Sequence, residues 1–153
     1  MKKIFVISFF FLLLLAAAGC GQKPLMDEVD KQGFYPYHND FFNFDLPLPK
    51  EFIYYQTQRI TADNYTDVDI LVPTADTSIV QIIPNYAEPI IIRVFDKKYF
   101  GTLSAADKTG LIKVGEKSKK VFVMKFWDKI PTDWKDKWTE ALKQQLVSNF
   151  KLK

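Results

Sequence analysis

The sequence predicts an α+β domain, built on a mainly antiparallel sheet with flanking helices that include a C-terminal amphipathic helix. Three observations carry that prediction. Apolar and polar residues alternate with a period of two along residues 42–48 and 120–127, the mark of half-buried strands. Between these segments lie short apolar runs closed by proline or by polar turn residues, as at residues 67–73 and 89–98, which is the punctuation of successive strands. After Pro131 the apolar spacing changes to three and four, so a helix follows the strands and helices do not alternate with them as in a βαβ fold.

Taken in order, residues 21–40 mix Gly, Pro, Asp, Glu, Lys and Asn without a sustained period and read as a tether. Phe34, Tyr35, Pro36, Tyr37 and His38 are too aromatic for a plain spacer. Two readings stand for them: rings packed across the edge of the domain, or an exposed docking patch. Phe42, Phe44, Leu46 and Leu48 alternate with Asn43, Asp45 and Pro47 and predict the first strand. Pro47 has no amide hydrogen to donate, which puts this strand at a sheet edge or ends it nearby.

Residues 53–60 and 67–72 are the next two strands, parted by the polar stretch 61–66 and closed by Pro73. Residues 78–83 are too few to separate a strand from a helical turn. Residues 90–95 form the best central strand, interrupted by Arg93 alone. Residues 111–114 and 120–127 form a hairpin about the turn 115–119. The helix is expected over residues 133–150, with Trp134, Trp138, Ala141, Leu142, Gln145 and Leu146 near one stripe and Thr132 as N-cap. Its outer face pairs Asp133 with Lys137 and Glu140 with Lys143.

The amino-terminal segment carries a different kind of information. Lys2 and Lys3 precede an apolar run over residues 4–15, followed by Ala16, Ala17, Ala18, Gly19 and then Cys20, the only cysteine. A spanning helix needs about 20 apolar residues, more than residues 4–18 supply, so a cleaved signal is the better fit. The segment resembles the lipobox of bacterial lipoproteins, with Ala17 where that family most often has leucine. The resemblance implies that the Cys20 thiol is acylated with diacylglycerol and that the chain is cut between Gly19 and Cys20. Such an anchor also accounts for a thiol without a disulfide partner. Two or more acyl chains hold a protein firmly to a bilayer, so the mature protein is expected to stay on a membrane, facing outside the cytoplasm. Gly21 is not the aspartate of the family's retention signal, which implies the outer membrane where a host has one and the cell membrane otherwise.

Residues 1–19 are therefore read as signal peptide, 20–39 as the lipidated cysteine and tether, and 40–153 as a single α+β domain. The signal holds two of the 21 basic residues and none of the 18 acidic ones. The remaining chain is close to neutral, which gives no electrostatic case for nucleic acid as a partner. With no cysteine pair, an apolar core must hold the domain, and 14 Phe, 7 Tyr and 3 Trp supply large areas to bury.

Two stretches carry a second resemblance. Phe44-Asp45-Leu46-Pro47-Leu48-Pro49-Lys50-Glu51-Phe52 is similar to the opening strand of PsbP-like domains, and the terminal helix leading to Ser148-Asn149-Phe150-Lys151-Leu152 is similar to their closing helix and aromatic. Pro47 departs from the usual strand pattern. The resemblance implies an antiparallel sheet flanked by helices and a binding or assembly role without a shared catalytic centre, so no catalytic residue is carried over.

Motifs for catalysis are missing from the sequence: it has no G-x-S-x-G, Walker loop, G-x-G-x-x-G or H-E-x-x-H. His38, the one histidine, lies in the tether, and one histidine with a lipidated cysteine does not make a zinc site. Asp67 and Asp69 would share one strand face and are expected as solvated acids on its outer side, the alternative being an oxygen site or a pair of acids toward a sugar. Asp63, Asp76 and Glu88 fall in separate connections. Arg93 reads as an outward side chain covering apolar surface, or else as a contact for an anion or partner. Phe126, Trp127, Trp134 and Trp138 read as helix-to-sheet core, or else as a ligand box.

The resulting expectation is a noncatalytic envelope lipoprotein, anchored through Cys20, with no catalytic, metal or cofactor residue. Its partners are the membrane through the lipid and an envelope protein or small ligand. The alternatives are a small-ligand or metal carrier with a pocket between sheet and helix, and a carboxylate-dependent hydrolase.

Overall fold

The computed structural model describes residues 28–79 and 81–153. Cys20, the signal segment and the first part of the tether lie outside the described residues. The coarse fold is the expected one: antiparallel strands in two sheets, with one helix near the carboxyl end.

Strands β1 (Phe34–Asn39) and β2 (Phe44–Pro49) form a hairpin, and β8 (Lys151–Leu152) joins the other side of β2. Strands β3 (Gln56–Thr61), β4 (Tyr65–Pro73), β5 (Tyr86–Asp96), β6 (Ile112–Lys117) and β7 (Lys120–Phe126) make the larger sheet, in the order β3-β4-β5-β7-β6. The main core lies on one face of that sheet. Val68, Ile70, Ile90, Ile92, Phe122 and Met124 meet Phe44, Leu46 and Leu48 from β2 and Trp134, Trp138, Leu142 and Leu146 from the carboxyl-terminal region. The Phe44 ring lies 5.0 Å from Phe150.

The folded chain begins earlier than residue 40. Residues 34–39, expected in the tether, pair with β2 along their length, and Tyr35 is buried. The packed reading of these rings holds for Tyr35 and Tyr37, which lie 6.2 and 6.1 Å from Tyr55. The polar residues before it and Pro36 within it hide this strand, because its apolar partners are supplied by β2 and Tyr55. Pro47 sits opposite Pro36. Neither can donate, so theirs is a non-hydrogen-bonded pair with both nitrogens turned outward, and Pro47 is tolerated because β8 pairs only with Phe44 and Asp45 and leaves an open edge beside it, as expected.

The carboxyl-terminal helix is shorter than the predicted 133–150. A 3-10 turn covers Thr132–Trp134, and the α-helix proper spans Glu140–Asn149. Thr139, not Thr132, caps it by accepting a hydrogen bond from Leu142 N at 3.1 Å. The preceding segment is drawn instead to the end of β4. Asp133 accepts from Thr74 Oγ1 and Ala75 N, Thr132 N donates to Asp76, and Trp134 Nε1 donates to the Pro73 carbonyl. Asp133 thus serves Thr74 in place of Lys137, which rests 5.1 Å above the Trp134 ring. Trp134, Trp138, Leu142 and Leu146 are buried as predicted, whereas Ala141 and Gln145 are exposed.

A short helix, α1 (Lys97–Thr102), has no counterpart in the sequence reading. Asp96 caps it by accepting from Lys98 N, and Tyr99, Phe100, Leu103 and Leu111 cover Phe95, Val121 and Val123 on the second face of the sheet. The β6–β7 turn is also tighter than expected: Lys117 pairs with Lys120, and Ser118 takes a φ of 55°. Residues 78 and 79 lie in a turn and bend and not in a strand.

Candidate functional site

The second face of the large sheet is apolar at the end covered by α1 and polar at the other, and the polar part is built by cross-strand register. Asp67 and Asp69 project from β4 on the same face. Arg93 of β5 lies directly opposite Asp67, and Gln58 of β3 opposite Asp69. Arg93 donates from Nε to Oδ1 and from its terminal nitrogen to Oδ2 of Asp67, both at 2.7 Å. The guanidinium also lies 3.8 Å from the Tyr65 ring centroid, so it is held by a bidentate pair and a ring face together. Gln58 Nε2 donates to Asp69 Oδ2 at 2.9 Å.

The expectation of solvated acids is corrected here. Asp67 is 7% exposed and Asp69 only 1%, because β3 and β5 side chains close over them. Arg93 is likewise neither a free anion contact nor a simple apolar cover. Its guanidinium compensates Asp67 in a half-buried setting.

Glu88 completes the cluster through a β-bulge. Ile70 pairs with Ile90 and Val72 with Ala87, so Leu71 of β4 faces both Glu88 and Pro89 of β5. A bulge re-aims side chains, and Pro89 fits there because no ladder donor is required of it. Glu88 and Asp69 come within hydrogen-bonding reach of one another. Burial pushes Asp69 above the usual carboxylate range, against the pull of Gln58, and the neighbouring Asp67 charge adds to the rise. Burial and the Asp69 charge push Glu88 up to about 7. Two carboxyl groups so placed disfavour ionising together, which favours retention of a proton on the pair.

Beside Glu88 runs a cleft of about 320 Å³ lined by Ile79, Ile91, Lys125, Trp127 and Lys129. Lys125 is the cation nearest in register, opposite Ile91. The Trp127 indole packs 4.8 Å from Trp138 and 5.8 Å from Trp134. The aromatic group therefore belongs to the core, as the first reading had it. A wider groove of about 620 Å³ lies between the carboxyl-terminal helix and β6–β7, with Ile112, Phe126 and Val147 along it.

The remaining residues singled out by sequence do not join this cluster. His38 Nδ1 is 2.6 Å from Asp45 and its Nε2 3.3 Å from Asp40, with Lys153 on the other Asp45 oxygen. Asp76 accepts from Ser78 N and Thr132 N, and Asp63 is exposed in the β3–β4 turn. Among the described residues no group of three or more His, Cys, Asp or Glu has the arrangement to hold a metal ion. Also among them, no helix is long and apolar enough to cross a membrane. No family model, curated protein or solved structure matches this chain.

Sequence reasoning places Glu88 in a separate connection and does not single out Gln58, so neither is expected in the cluster; Gln58 has no local signal, and Glu88 has one. That signal is the Glu88-Pro89 dipeptide at the head of the most apolar strand, where a proline marks a break in ladder pairing.

Proposed function

We propose that this protein is a bacterial envelope lipoprotein, anchored through Cys20 and facing outside the cytoplasm, whose domain binds or assembles with another envelope component without catalysing a reaction. The observation that carries the reading is the run of Lys2, Lys3, an apolar stretch and small residues ending at the single cysteine. The polar cluster is consistent with a domain whose charged groups hold its own fold, since both Asp67 oxygens are engaged by Arg93 and Asp69 by Gln58. A PsbP-like relationship is the finer reading of the fold. The buried alternation of Phe44, Leu46 and Leu48 and the contact of Phe150 with Phe44 at 5.0 Å support it.

Detergent partitioning of the full chain tests the anchor. Wild type should enter the detergent phase, and Cys20→Ser should yield a soluble or unprocessed form, because a hydroxyl cannot form the lipid thioether. Equal partitioning of both, each with the signal removed, would end the reading. The cleft beside Glu88 favours a small-ligand carrier as the second reading. Native mass spectrometry of the purified mature protein should then show a retained ligand, whereas an assembly factor would be bare.

A further inference from the structure

The tether enters the domain at the same end as an exposed apolar tip, and we propose that this tip docks on the lipid bilayer. The proposal rests on the lipoprotein reading above. Phe34 opens β1 opposite Pro49, the last residue of β2. The chain then runs through the 3-10 turn Lys50–Phe52 to Ile53 and Tyr54 before β3 begins. Tyr86 pairs with Pro73, and its hydroxyl donates to the Tyr54 carbonyl at 3.3 Å, bringing the described residues between Pro73 and Tyr86 to the same end. Val29 precedes a turn in which Asp30 N donates to the Phe34 carbonyl.

Four large apolar side chains are thus exposed around the point of entry: Val29 at 46%, Ile53 at 42%, Tyr54 at 58% and Ile82 at 49%. Tyr54 holds a φ of 61°, a left-handed backbone that is rare for a bulky residue and that turns the chain here between the 3-10 turn and β3. Tyrosine settles at the headgroup boundary, and aliphatic side chains beside it can bury among the upper acyl chains. Lys31, Lys50, Glu28 and Asp30 share this end, so its charge is mixed and the attraction expected is apolar insertion and not a pull toward anionic lipid.

Cys20 fixes the occupant. A lipid anchored there raises the concentration of bilayer at the end where the tether arrives more than at the far end. The far end carries the residue 40–43, 62–64 and 118–119 turns. There Phe41 is itself 66% exposed, but the Arg59 guanidinium sits 4.1 Å from its ring and places a charge at that surface. Docked in this way, the β5 bulge and its cleft stand near the bilayer, and α1 and the β6–β7 turn face away from it.

Environment-sensitive labels test the orientation in the processed full chain, reconstituted in vesicles of phosphatidylethanolamine and phosphatidylglycerol. Ile53→Cys and Ile82→Cys should show blue-shifted label emission and quenching by brominated lipid. Lys119→Cys, at the far end, should show neither. Ile53→Ser with Tyr54→Ser should abolish the effect at Ile82→Cys while the protein stays on the vesicles. An acylated Cys20 takes no label, so a second label per chain would mean failure of the anchor reading itself. One label per chain with equal, water-like emission at both ends would overturn the docking proposal alone. Protection at Ile53→Cys without quenching by brominated lipid would overturn it in favour of a protein partner.

Discussion

At Glu88 a bulge and a buried neighbour hold a carboxyl proton up to about pH 7, against 4.5 for an ordinary glutamate. Between those values the folded state keeps a proton that the unfolded chain has released. The stability this contributes is complete below about pH 4.5 and is lost as the pH rises through 7. Asp69, also raised, acts in the same direction. Carboxyls held low, such as Glu116 at about 2 beside Lys113 and Lys97, lose their contribution only in acid, outside this window. The melting temperature of wild type should therefore fall between pH 4.5 and 7.5, and that of Glu88→Gln should vary less. Identical profiles would mean that the two carboxyls do not share a proton. The spacing of Asp67 and Asp69 is enough to predict their common face. That Gln58 and Arg93 cover them, and that Glu88 joins them, depends on cross-strand register and on a bulge, neither of which a single strand's pattern contains.

The elements show the same division between local and distant causes. Strands β4, β5 and β7 are legible because each carries its own apolar pattern. Strand β1 is not, since its burial is conferred by β2 and Tyr55, and α1 is not, since it is a single capped turn over a neighbouring strand's residues. The carboxyl-terminal helix is half legible: the buried stripe follows from spacing, but its start is decided by hydrogen bonds to residues 73–76. Thr139→Ala should cost about 1 kcal/mol through loss of the cap, and Thr132→Ala should cost less, as judged by urea unfolding. Trp138, 5% exposed, should cost about 3–5 kcal/mol on truncation to alanine. Lys143→Ala removes only an exposed pair with Glu140, worth a few tenths of a kcal/mol. If Trp138→Ala melted like wild type, the segment leading into the helix would not be part of the core.

For the molecule as a whole, the boundary of the folding unit can be measured. A chain starting at Glu28 should unfold as one transition, and deletion through Asn39 should abolish that transition, because it strips a full strand from β2 and exposes the core around Tyr35. Circular dichroism melting would decide it; a cooperative transition in the shorter chain would move the boundary back to residue 40. One more consequence belongs to this scale and comes from the facing prolines Pro36 and Pro47. Their nitrogens point to opposite sides of the hairpin, Pro36 toward the free edge of β1 and Pro47 toward the side where β8 stops after two residues. Each edge lacks a donor in its middle, so neither can template the addition of a further strand. Under the anchor proposed at Cys20, copies held on a two-dimensional surface would meet edge to edge far more often than copies free in solution. The two rings give the small sheet a fixed width and make it a poor seed for polymerisation.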